Sequence, residues 1–182
     1  MRILLFALTL LAMTSVSVAQ ETRIEITKST TPKDDAKANR DSVPDVYALD
    51  GQFERVVVLR FKYQADLMAG MEKMVKEQNI TNAVILAGAG SLTGYHFHLV
   101  SNRTFPSKNM LIKNPTAPAD LVSMNGYIID GRIHAHMTLT NKNKAFGGHL
   151  EPGTTVFTFA IVTLGVFKDG IDFRRIDDKT YR

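Results

Sequence analysis

The sequence predicts an α+β fold, a mixed or antiparallel sheet of about seven strands covered by one main helix. Three observations point there. Apolar runs that are β-branched or strictly alternating recur through most of the 182 residues. Only residues 66–78 carry the spacing of an amphipathic helix. Gly, Pro and polar clusters break the chain at intervals that suit strands.

The elements follow in order. Met1 and Arg2 give a positive start, "ILLFALTLLA" an unbroken apolar run, and Ser17 and Ala19 a small-x-small cleavage site. This pattern predicts a signal peptide over residues 1–19, cut between Ala19 and Gln20, and hence a secreted or periplasmic protein. The run is short for a bilayer span, so no membrane association is expected. Residues 20–50 are polar and read as a flexible leader with one short strand at Arg23–Thr27. The folded domain is expected over residues 51–168.

Within it, "RVVVLRF" (Arg55–Phe61) reads as a buried strand. Leu67, Met68, Met71, Met74 and Val75 fall on one helical face, with Asp66 as N-cap. In "NAVILAGAGSLTGYHFHLVS" the glycines predict a tight bend between two strands, the second at Tyr95–Val100. Gly88-Ala89-Gly90-Ser91 lacks the helix and the Lys-Ser/Thr pair of a phosphate loop. A loop over Asn102–Asp120, strands at Leu121–Tyr127 and Arg132–Thr140, and a long strand at Thr154–Val166 complete the domain. The polar tail, residues 169–182, offers one further edge strand.

Composition narrows the chemistry. The chain is 45% hydrophobic with no Cys and no Trp, and its mean hydropathy is −0.05. Thiol catalysis and cysteine-based zinc sites are therefore excluded, and any transition-metal site must use His and carboxylate. A net charge of +4 is spread along the chain, a weak pointer to an anionic partner.

The five histidines are the chemically pointed feature. His134 and His136 lie two apart in a strand, so both project from one face, about 6.6 Å apart along the chain. Two nitrogens there can converge on one ion. The "NKNKAFGGHL" link can return the chain and set His149 beside them, with Gly147 and Gly148 allowing a bulge that aims the ring. Metal binding, proton transfer and ordinary surface imidazoles all remain open on this pattern alone. His96 and His98 form a second alternating pair.

"LRFKYQADL", "AGAGSLTGYHF", "VSMNGYIIDGRIHAHMTL" and "GGHLEPGTTV", in that order, resemble the plants-and-prokaryotes-conserved domain family between Glu54 and Val166. The resemblance implies a compact α+β domain that assembles as a homotrimer. By matching position it implies a divalent-metal site at His134, His136 and His149; three nitrogen ligands make zinc the first candidate and leave an open position that could take a small anionic ligand. His96, His98 and Arg60 are candidates for lining that site or contacting its ligand. Two departures stand out. Ile161 occupies the position where prokaryotic relatives often carry Glu, and no Arg-Gly-Arg-Pro AT-hook core occurs.

Three functions compete. One is a metal-dependent binder of a small anion; another is a metal-dependent hydrolase or lyase, for which His98 and Asp130 are the available acid–base groups. The third is a DNA-associated module using the loop Lys142–Lys144. An exported chain without an AT-hook or interleaved aromatics is not expected to bind nucleic acid.

Overall fold

A computed structural model describes residues 22–28 and 38–176 of the chain. The expected signal peptide and its cleavage point lie outside the described residues. Among the described residues there are eight strands: β1 (Arg23–Lys28), β2 (Phe53–Lys62), β3 (Ala83–Val100), β4 (Lys108–Asn114), β5 (Ala119–Ile129), β6 (Arg132–Thr140), β7 (Ala145–Leu150) and β8 (Thr155–Phe167). A single α-helix, α1 (Leu67–Glu77), accompanies them. Every strand pair is antiparallel. No helix is long and apolar enough to cross a membrane among the described residues.

The helix begins where its chemistry says it should. Asp66 accepts a hydrogen bond from the Ala69 amide at 2.9 Å, an N-cap contact. Its second oxygen accepts from the Gly153 amide at 2.6 Å, which ties the helix start to the β7–β8 turn. Leu67, Met68, Met71 and Val75 are the buried stripe. Each such side chain contributes roughly 1.5–3 kcal/mol relative to exposure. They join Leu59, Phe61, Val162 and Leu164 from β2 and β8 in the one core cluster.

β3 is where the structure departs most from expectation. The predicted strand, bend and strand are one continuous element of 18 residues. The bend is absorbed by register shifts against β8 between Ile85 and Ala87, Gly90 and Leu92, and Leu92 and Gly94. The glycines serve close approach rather than a turn: a Cβ at Gly90 would strike the Ala160 backbone, and one at Gly94 the Pro115 carbonyl. Bending lets β3 pair with β8 and β5 along its first half and with β4 and β7 along its second. A closed circuit β3–β5–β6–β7–β3 results.

One further strand runs where a loop was expected. β4 sits inside the predicted loop at 102–120, paired with β3 on one side and with β1 on the other. β1 itself confirms the short strand read in the leader, one residue longer than expected. The tail adds no edge strand among the described residues; a 3-10 turn at Phe173–Arg175 buries Phe173 instead. Its ring stacks on Phe167 with centroids 4.4 Å apart.

Candidate metal centre

The alternation of β6 sets the site. Ala135, Met137 and Leu139 are buried in the core, and so His134 and His136 project from the outer face. β7 lies between β6 and the second half of β3. In that register His149 stands opposite His136 on one side and opposite His98 on the other. Three imidazoles thus occupy one cross-strand row, His98–His149–His136, with His134 flanking it on the same face.

The expected bulge at Gly147 and Gly148 is absent. The β6–β7 ladder runs unbroken from His136↔His149 to Thr140↔Ala145. A Cβ on Gly147 would meet the Met137 carbonyl, and one on Gly148 the His98 carbonyl. The glycine pair therefore lets β7 press between two neighbours, and this proximity brings His149 within reach of both sides.

The geometry of the trio is one that could hold a metal ion. Nε2 of His134 and Nε2 of His136 are 3.3 Å apart. Two nitrogens bound tetrahedrally at 2.0–2.1 Å would be separated by about 3.3–3.4 Å. The His149 ring meets the other two edge-on, with centroids 4.8 Å from His134 and 5.2 Å from His136. One ligand atom from each of the three lies within 4.8 Å of the others. Three nitrogen donors, with no fourth ligand grouped with them among the described residues, suit a borderline cation with an open coordination position.

Electrostatics favour the neutral form of His149 and His136. Burial lowers the His149 pKa from its usual 6.5 to about 4, helped by the neighbouring His98, His134 and His136. His136 is lowered too, first by burial and then by His134 and His98. Neutral rings at neutral pH carry the free lone pair that a metal needs.

The remaining candidates separate. His98 stacks on His149 with centroids 4.5 Å apart, and its Nδ1 lies 2.5 Å from a Glu151 carboxylate oxygen. His96 is not part of the trio; its Nδ1 donates to the Pro152 carbonyl at 2.8 Å and so steadies the β7–β8 turn. Arg60 is on β2, which pairs with β8 only, and its guanidinium stands 5.7 Å over the Phe159 ring. Asp130 occupies the β5–β6 turn, where its amide donates to Asn82. Lys144 lies 5.8 Å over the ring of Phe146 on β7. Ile161 lies on β8 opposite Arg60 and Ala89. Glu151, unremarked in the sequence, is the carboxylate that the fold brings to the histidines. Its i+2 spacing from His149 was the available signal.

Comparison with known proteins bears on this arrangement. The family profile described as the Plants and Prokaryotes Conserved (PCC) domain matches residues 48–168. The chain belongs to the PCC domain family. Among solved PCC-like folds, a plant- and prokaryote-conserved protein from Pyrococcus horikoshii is 21% identical with a TM-score of 0.55, covering 69% of this chain and 87% of its own. A metal-containing protein from Archaeoglobus fulgidus is 20% identical with a TM-score of 0.53, covering 66% of this chain and 86% of its own. A curated relative, bifunctional protein GlmU of Synechococcus sp. (strain JA-3-3Ab), is 23% identical over 121 residues, 66% of this chain. The chain spans only 18% of that longer protein's length.

Proposed function

We propose that this PCC protein is exported and binds one divalent metal, zinc foremost, through His134, His136 and His149, with an open position for a small anionic ligand. The observation that carries the reading is the 3.3 Å separation of the His134 and His136 Nε2 atoms, with the His149 ring edge-on to both. Neutral His149 and His136 at neutral pH support it, as does the fold shared with a metal-containing archaeal protein. A metal held there would polarise a coordinated water or anion. The chain's own part is to present three preset nitrogens from adjacent strands.

The same reading includes a homotrimer. The outer sheet face carries Val56, Val58, Phe159 and Ile161, all substantially exposed. It continues across to Tyr127, which stands opposite His134. An apolar face of this kind on a sheet calls for a partner, and further copies of this chain are the partner proposed.

Metal analysis of the mature protein purified without chelator tests the reading. About one zinc per chain is expected, with the tight equivalent lost in a His134→Ala/His136→Ala variant. Wild-type protein that takes up no zinc, nickel or cobalt at neutral pH would refute it.

A further inference from the structure

Beside the three-histidine set lies a second group, His98, His149 and Glu151, whose ligand atoms also fall within 4.8 Å of one another. Its chemistry differs. It offers two nitrogens and a carboxylate oxygen in place of three nitrogens, and its members come from β3, β7 and the turn after β7. The His98 and Glu151 side chains are only 20% and 26% exposed, whereas His134 and His136 are open to solvent.

We propose that His98, His149 and Glu151 form a second seat for a divalent cation, alternative to the three-histidine seat and sharing His149 with it. This rests on the metal-binding reading above and extends it to a site with two positions. The sheet dictates the sharing. His149 is on the middle strand of three, opposite His98 on one side and His136 on the other. A neutral imidazole has one free lone pair, its other nitrogen carrying the proton. One ring therefore serves one ion at a time, and the cluster holds a single ion in either position.

The carboxylate gives the second seat its distinct character. Nδ1 of His98 and an oxygen of Glu151 are hydrogen-bonded at 2.5 Å, a contact a cation would replace, and the stacked His149 ring lies 4.5 Å from the His98 ring. A negative oxygen attracts a cation more strongly than a neutral nitrogen does, and it widens the range of ions accepted toward manganese. Glu151 is also fixed independently of its side chain, because its amide donates to the His96 carbonyl at 3.1 Å.

Cobalt(II) titration of the full chain, followed by calorimetry and by visible absorption, tests the second seat. A His134→Ala/His136→Ala variant is expected to keep one weaker cobalt equivalent per chain with an altered absorption band. Adding Glu151→Gln, which retains a hydrogen-bond acceptor for His98, is expected to abolish that binding while circular dichroism stays unchanged. A double variant that binds no cobalt while the wild type binds one overturns the second seat and leaves the first intact. Residual binding that survives Glu151→Gln overturns it as well. Failure of the wild type to bind cobalt removes both readings together.

Discussion

His136 on β6 and His149 on β7 are direct partners in the strand register, and their rings meet at 87° with centroids 5.2 Å apart. A metal joining them would cross-link two neighbouring strands in the folded state only. Zinc at a hundredfold excess over its Kd should therefore raise stability by about 2.7 kcal/mol. Scanning calorimetry should show a higher Tm with zinc and a clearly smaller zinc-dependent shift for His136→Ala.

Acid should weaken the metal-free protein through His149. In the unfolded chain this ring takes up a proton near 6.5, but in the folded protein only near about 4. Between those values unfolding gains a proton, so the folded state loses ground as pH falls. Stability linked to this group is full above pH 6.5 and lost progressively toward pH 4. Urea unfolding across that window should show the decline, and a His149→Asn variant should flatten it.

Gly148→Ala tests whether close strand approach builds the site. The added methyl would strike the His98 carbonyl, a backbone atom that cannot swing aside. A loss of about 3 kcal/mol is expected, read by chemical denaturation. Zinc binding should weaken even though no ligand has been changed.

Val58→Lys places a charge on the exposed apolar face of β2, where Val58 is 62% exposed. The monomer's core should tolerate it, since Leu59 rather than Val58 is buried. Light scattering should show a trimer for the wild type and a monomer for the variant, with unaltered circular dichroism.

Much of this was legible in the residues because period and side-chain chemistry agreed. The methionine spacing after Asp66 gave the helix, and the His134–His136 alternation gave a shared face on β6. The failures came where glycine has two meanings. In "AGAGS" and "AFGG" it looked like a turn or bulge signal, yet β3 and β7 keep their glycines because neighbouring backbones lie too close for a Cβ. β4 escaped because its apolar centre, Met110–Ile112, is flanked by lysines and asparagines within a Pro-containing stretch. His98 could be seen as an exposed strand histidine, but only the bend in β3 sets it against His149 and Glu151. That contact depends on tertiary pairing of residues 53 apart, which no local pattern encodes.

X-ray absorption at the zinc edge of the purified mature protein tests the central claim most directly. The expected result is a tetrahedral centre with imidazole nitrogens at about 2.0–2.1 Å, lost when His134 and His136 are replaced together. Zinc surrounded by oxygen alone, or an unchanged spectrum in that double variant, would contradict coordination by His134, His136 and His149.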